Sequence, residues 1–484
     1  MIFSSPVFIC LFLPAVLVLY FIVVRRGARN QLLLVASLFF YAWGEPRFVF
    51  VMLASILANF LFGLWIDRAR EGAAAKWAMA CAVVVNLGLL CTFKYANFFV
   101  DNLNPLLSVF HIRPIVLVPI HLPIGISFFT FQAMSYVIDV YRKEAEVQRN
   151  PVNVALYISL FPQLLAGPIV RYRDIAEQLL KRTISREGFA SGVKRFITGL
   201  GKKVLIADVI GKVVDEIFLI HGGELTPGLA WLGIICFTLQ LYYDFSGYSD
   251  MAIGLGRMFG FRFLENFNYP YIARSMREFW RRWHISLSTW FRDYLYFPMG
   301  GNRVSPPRVY FNLVIVFLLC GLWHGAKWNY VIWGLSHGVF LVLERGRFGK
   351  WMESVWAPVG HFYMLFVFMV TLCFFRTVSL SHAVDYMTAM FGLCSATGQE
   401  HDIMKFVNTE FVLAMVAGVL FSTPLVPHFG RQSGKYIVAL AGKTQATVEA
   451  VFLFGEVTAY IFVLLVSSAW LAGSTYQPFI YFRF

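Results

Sequence analysis

Charge is scarce in this chain. Asp, Glu, Lys and Arg make up 14% of its 484 residues, where soluble domains carry about a quarter. So few charges cannot coat a compact soluble enzyme, and they exclude a disordered acidic or basic protein as well. Cysteine is also sparse. The seven residues 10, 81, 91, 236, 320, 373 and 394 lie in or beside apolar runs, without the paired spacing of a zinc site or a disulfide scaffold. They read as packing residues, and no metal is expected. Signatures of soluble enzymes are missing too. There is no P-loop and no HExxH pair, and Gly254, Gly256 and Gly260 are spaced GxGxxxG with no strand before them, which is not a dinucleotide fingerprint.

What is present is apolar. Hydrophobic residues reach 58% and aromatics 18%, with 50 Phe, 22 Tyr and 13 Trp, more rings than a lipid-facing surface alone requires. Runs long enough to cross about 30 Å of hydrocarbon fall at 6–24, 47–66, 77–94, 117–140, 204–220, 228–246, 358–375, 408–424 and 449–471. The runs 31–44, 152–170 and 248–263 are shorter or broken by Pro162 and Gly167-Pro168, and read as tilted or re-entrant pieces. Irregular backbone at membrane depth survives only inside protein or beside a wet cavity. The expected fold is therefore all-α: a polytopic integral membrane protein of about nine to twelve membrane helices, with re-entrant and interfacial helices around a cavity. No long linker, low-complexity tract or internal repeat divides it, so residues 1–484 are expected to form one domain.

The formal charge of +14 invites a nucleic-acid reading, but no nucleic-acid motif accompanies it. The charge follows topology instead. Most Lys and Arg fall in hydrophilic gaps, notably Arg25–Arg29, Arg68–Lys76, Arg142–Arg149, Arg171–Lys203, Arg274–Arg308, Arg345–Lys350 and Arg431–Lys443, whereas 101–114, 221–227 and 395–405 hold only Arg113 and Lys405. The positive-inside rule places the rich gaps in the cytoplasm. The first 24 residues carry no Lys or Arg, the reverse of a cleavable signal peptide, so the run 6–24 is expected to be a first span with the N-terminus outside.

Residues 309–344 lie between Arg308 and Arg345, both on the basic side, so the stretch crosses an even number of times. It reads either as a hairpin with arms 309–322 and 328–344 or as one long helix lying partly along the interface. A 14-residue arm would rise only about 21 Å, leaving His324 within the protein at membrane depth. An ionisable ring there is costly and usually functional. A desolvated imidazole stays neutral and can accept a proton near pH 7, as a general base must; a core histidine bonded to a backbone carbonyl is the competing reading. His284 lies in REFWRRWHISLSTWFRDYLYF. Taken as one helix, this places His284 with Phe279, Trp280, Trp283, Leu287, Trp290, Phe291 and Tyr294, and places Arg281, Arg282, Ser288, Arg292 and Asp293 on the other face. Such a helix suits an interfacial anchor with an incidental histidine, or one whose cations meet an anionic nucleotide. His337, on one continuous helix, would stand nearly 20 Å along the axis from His324 and outside its site. Histidines 111, 121, 221, 361, 382, 401 and 428 fall mostly in loops or at run ends. In 240–261, Asp244, Ser246, Tyr248 and Asp250 read as hydrogen-bonding glue between helices or as the lining of a passage.

Four ordered segments, FPQLLAGPIVRYRD (161–174), LQLYYDFSGYSDMAIGLGRMFGF (239–261), FWRRWHISLSTWFRDYLYFPMGGNR (279–303) and GLWHGAKWNYVIWGLSHG (321–338), resemble the membrane-bound O-acyltransferase family, within it the branch that acetylates exported polysaccharides such as alginate and cellulose. The opening MIFSSPVFICLFLPAVLVLYF and the closing FIYFRF extend the likeness from end to end. The resemblance implies a helical bowl whose thin floor separates a cytosolic donor opening from an outer funnel. It implies catalytic roles for His324 and His284, and substrate contacts from Trp323, Trp328, Trp280, Arg281, Asp293 and Asn302. It implies acetyl-CoA as donor with no bound cofactor, periplasmic SGNH-type acetyltransferase proteins and polysaccharide synthesis machinery as partners, and a multi-pass place in the bacterial inner membrane with both termini periplasmic. A pure transporter of a lipid-linked sugar, and a D-alanyl transferase for teichoic acid drawing on an acyl carrier protein, remain the alternatives.

Overall fold

The computed structural model describes residues 1–23, 26–69, 72–220, 224–393, 402–439 and 442–473. Arg25, Arg70, His221, Cys394, His401 and the closing 479–484 lie outside the described residues. Among those described, every regular element is helical, as expected. Six helices are long and apolar enough to cross a membrane: Val49–Ala69, Ala73–Val109, Pro227–Met258, Pro306–His324, Ala357–Arg376 and Thr444–Gly473. A seventh results if Thr409–Phe421 and Leu425–Lys435, bent by 61° at their junction, count as one.

The longer roster of spans expected above shrinks for local reasons. The run 117–140 is helical only over Ile126–Tyr141, because residues 112–123 form no regular element and the chain enters the helix through a left-handed Gly125. The run 204–220 belongs to a helical stretch that starts at Arg186 and passes through a π-helical turn, Lys202–Ala207, into Asp208–Ile217. The run 6–24 is a π-helical turn, Phe8–Phe12, followed by only ten residues, Leu13–Ile22. Nor is 248–263 a separate piece: it continues Pro227–Met258, whose 32 residues rise about 48 Å. That helix is mostly buried inside the protein, whereas Thr444–Gly473 is almost wholly exposed on its outside.

Polar residues of the long helix act as glue. Lys203 pairs with Asp208 and Asp244, each at 2.6 Å, and Asp250 takes Arg195 and Lys202, each at 2.7 Å. Buried charges persist only when paired in this way.

Of the two readings of 309–344, the hairpin is the one observed, with arms Pro306–His324 and Trp328–Arg345. A Cβ on Gly321 would stand 2.2 Å from the Tyr330 carbonyl oxygen, and one on Gly334 2.3 Å from that of Phe317. Only glycine lets the arms meet backbone to backbone. The first arm is longer than expected, 19 residues or about 28 Å, because Pro306 and Pro307 start the helix rather than precede it. Arm length alone therefore does not hold His324 in the interior; its surroundings do.

Candidate active site

His324 is the last residue of the first arm and is buried. Three rings surround it edge-on: Trp323 and Trp333 at 5.0 Å between centroids and Phe375 at 5.3 Å. It also lines a cavity of about 280 Å³ together with Lys94, His121, Ser127 and Trp323. Lys94 sits on a π-helical turn, Cys91–Tyr95, a distortion often found at functional sites. Its ammonium donates to the Trp323 carbonyl at 2.5 Å and to Ser127 Oγ at 3.2 Å, and Tyr95 Oη donates to the Leu322 carbonyl at 2.8 Å. The last carbonyls of a helix have no intrahelical donor and carry its negative dipole end. An N–H donor placed there fixes the turn that presents His324.

Lys94 also borders a second cavity of about 690 Å³, lined among others by Asn97, Asn102, Lys327 and Trp328. Trp328 is 52% exposed, and its indole N–H donates to Asn102 Oδ1 at 2.7 Å. The hairpin turn thus carries a continuous polar and aromatic border from the buried imidazole to an exposed ring.

His284 joins from another direction. Trp323 lies edge-on to it at 6.0 Å as well as to His324, so one indole touches both imidazoles. The expected single helix does not exist here. It breaks into Met276–Arg282 and Ile285–Phe291, with His284 itself left-handed at φ 43, ψ 53. The broken helical bonds are replaced by pairing with the strand-like segment before it: Asn268 N–H donates to the Arg282 carbonyl and Ile285 N–H to the Asn266 carbonyl, each at 2.9 Å. His284 still points inward with the aromatics, and burial pushes its imidazole down to about 3.

The other expected residues are not gathered around His324. Trp280 is buried, and its indole N–H donates to His337 Nδ1 at 3.3 Å. Arg281 is exposed. Asn302 is exposed and accepts from Tyr296 Oη at 2.7 Å and Arg345 Nη1 at 3.0 Å; Arg345 ends the second arm, about 27 Å from the turn. Asp293, expected on the exposed Arg face, is buried instead. Arg171 and Arg173 each reach it at 2.5 Å and Arg292 at 2.7 Å, because the π-helical turn Arg292–Tyr296 rotates it inward.

His337 is nearer than one continuous helix would allow. The chain turns back at 325–327, and Trp333 packs against both rings, at 5.0 Å from His324 and 4.8 Å from His337. Lys94 and Asn266 were not singled out from sequence, and His337 was placed outside the site. Lys94 alone left a signal, as a lysine inside the apolar run 77–94. No group of three His, Cys, Asp or Glu side chains among the described residues is arranged to hold a metal ion.

Residues 35–381 match the membrane-bound O-acyltransferase family model. The chain is 41% identical to the probable alginate O-acetylase AlgI of Azotobacter vinelandii, over the whole of both chains. It is 47% identical to the protein of that description from Pseudomonas aeruginosa, over 81% of this chain and 75% of the relative. It is 35% identical to the peptidoglycan O-acetyltransferase of Helicobacter pylori, over 85% of each. The arrangement of rings around the hairpin turn therefore sits in a membrane acyltransferase that takes its acyl group from a donor substrate: this chain belongs to the membrane-bound O-acyltransferase family.

Proposed function

We propose that the protein, acting as one domain over residues 1–484, takes an acetyl group from cytosolic acetyl-CoA and passes it across the bacterial inner membrane for O-acetylation of an exported polysaccharide of the alginate type. The observation that carries this reading is the single indole of Trp323 touching both His324 and His284, beside a cavity that His324 shares with Lys94. His324 acts as general base. It takes the proton of the accepting hydroxyl, the oxygen attacks the thioester carbonyl, the C–S bond breaks, and the departing thiolate receives the proton His324 held. His284 orients the thioester. Trp323 and Trp328 border the acceptor's route. Arg281 and Asn302, exposed towards the other end of the hairpin, meet the donor's anionic nucleotide, while Trp280 and Asp293 support the floor between.

The basic gaps face the cytoplasm and both termini face the periplasm. The one GxSxG match, GLSHG at 334–338, lies inside the helix Trp328–Arg345 and not on a strand-to-helix turn, and the Ser336 hydroxyl donates to the Ile332 carbonyl; a periplasmic SGNH-type acetyltransferase is therefore the expected first acceptor, through a serine. Purified protein in lipid, given acetyl-CoA labelled in the acetyl group together with such a partner, should release CoA and transfer label. His324→Ala, inserted at the wild-type level, should lose roughly 10²- to 10⁴-fold of that rate. Release of no CoA by the wild type would leave a transporter; activity only with an acylated carrier protein would leave the D-alanyl transferase chemistry. Wild-type transfer by His324→Ala would remove its role as base.

A further inference from the structure

We propose that Asn266 is a positioning residue for the transfer reaction: it locks His284 as the Nδ1–H tautomer, so that Nε2 carries the ring's lone pair. This rests on the reading above that His284 serves the thioester, and it defines how.

Asn266 is fully buried in the non-helical segment that pairs with the break at His284. Its side-chain amide can be oriented from its neighbours. The Ser286 backbone N–H donates to Oδ1 at 3.1 Å. A backbone N–H cannot accept, so the atom facing it is the amide oxygen, and Nδ2 is the atom that donates to Ser249 Oγ at 3.0 Å. The Ser286 hydroxyl, which accepts the Ile169 N–H at 3.0 Å, turns its own proton to the same oxygen at 2.9 Å. His284 Nδ1 stands 3.2 Å from that oxygen. Facing a pure acceptor, Nδ1 must carry the hydrogen, and a neutral imidazole has only one. Nε2 is then an acceptor.

His337 shows the opposite arrangement in the same protein. Trp280 Nε1–H donates to its Nδ1 at 3.3 Å, so its own hydrogen lies on Nε2 and points to Thr371 Oγ1 at 3.2 Å, while the Thr371 hydroxyl donates to the Phe368 carbonyl at 2.9 Å. The two tautomers are thus imposed by neighbours and not by burial, which both rings share. The left-handed backbone of His284 is a conformation that is unfavourable for a non-glycine residue and persists only where surroundings hold it. Asn266 holds it twice, through its carbonyl to Ile285 N–H and through its side chain to the ring. With its lone pair on Nε2, the neutral ring accepts an N–H or O–H and cannot donate to a developing oxyanion. His284 therefore orients a donor group, such as an amide N–H of the thioester's arm.

The test reads the ring directly. Full-length protein carrying ¹⁵N-labelled histidine, in lipid and without substrate, is compared with His284→Gln to identify the His284 signals by NMR. The expected spectrum has a protonated Nδ1 and an unprotonated Nε2, retained in Asn266→Asp, which keeps the acceptor oxygen, and converted to a mixture in Asn266→Leu. Acetyl transfer should fall by between about 10²- and 10⁴-fold in Asn266→Leu, the range when a catalytic histidine loses its orienting partner or takes the wrong tautomer, and recover to within about tenfold of wild type in Asn266→Asp. A wild-type His284 protonated at Nε2 overturns the proposal, as does any variant in which tautomer and rate fail to move together. If Asn266→Leu does not accumulate, Asn266→Ala replaces it, and the wild-type spectrum decides without either. Failure of the transferase reading is distinct: the tautomer would persist while the wild type released no CoA from acetyl-CoA.

Discussion

The hairpin 306–345 is built differently at its two ends. At the turn, His324, Trp323, Lys94 and Trp328 border cavities, and polar groups face space that a substrate can enter. At the other end, polar groups face one another. Glu344 accepts the backbone N–H groups of Met276 and Arg277 at 2.6 and 2.8 Å and the Tyr363 hydroxyl at 3.2 Å, Asn302 clasps Arg345, and Asp293 is ringed by Arg171, Arg173 and Arg292. His337 lies between, with both ring nitrogens engaged. Burial and charge are common to both ends, so neither marks chemistry by itself. Access does. Variants of the buried, mutually paired groups at the closed end should therefore change stability, and variants at the open end should change kinetics.

The largest effect is expected at the closed end. Asp293→Asn leaves Arg171 and Arg173 facing a neutral amide, and breaking a buried ion pair from one side costs about 3–5 kcal/mol. Desolvation alone would raise the Asp293 carboxyl, but the hydrogen bond from Arg292 and the charges of Arg292, Arg171 and Arg173 outweigh it and hold it below the usual carboxylate range. A carboxyl depressed by folding stabilises the protein above its unfolded value and loses that contribution as pH falls through its folded value. Thermal unfolding in detergent should show the full deficit of Asp293→Asn near pH 7 and a shrinking one below about pH 4. A deficit independent of pH would mean that packing, not charge, was lost. The next effect is smaller. His337→Phe keeps the ring's volume but strips the Trp280 N–H of its acceptor, a loss of about 1–3 kcal/mol, with acetyl transfer reduced by less than about tenfold. A loss as deep as that of His324→Ala, at unchanged thermal stability, would move His337 into the chemistry and break the comparison.

How much of this was legible in sequence differs between the ends for a physical reason. His324 could be found because an imidazole in an apolar run is costly, and that cost is local. That 309–344 crosses an even number of times followed from the sign of Arg308 and Arg345, and the structure decided between a hairpin and one long interfacial helix. The burial of Asp293 could not be read, since its partners Arg171 and Arg173 are 122 and 120 residues away and the helical period around it points outward. The break at His284 was hidden for the same reason: RRWHISLS continues a helical pattern, and the bonds that interrupt it come from Asn266, 18 residues earlier. The start of the first arm was set at 309 by the basic gap ending at Arg308, whereas the helix opens earlier, at Pro306, because proline suits a first helical turn.

The smallest expected effect sharpens the open end. Trp328 is half exposed, and among the described residues it is anchored by its N–H to Asn102 and a ring contact with Phe98 at 5.8 Å. Its removal opens no core cavity and unpairs no buried charge, so Trp328→Ala should melt within about 1 °C of wild type, the expected range for a surface change of a few tenths of a kcal/mol. What it removes is a flat apolar face at the rim of the larger cavity, the surface on which a sugar ring or an acceptor loop would rest. An aromatic contact of that kind contributes about 0.5–1.5 kcal/mol, or roughly three- to tenfold in KM for the acceptor. The rate at saturating acceptor should stay unchanged, because Trp328 does not pack against either imidazole that the reaction uses. Steady-state transfer at fixed acetyl-CoA and varied acceptor separates the outcomes. A drop of several degrees in melting temperature with KM unchanged would place Trp328 on the structural side of the division, and the larger cavity would lose its claim to be the acceptor's route.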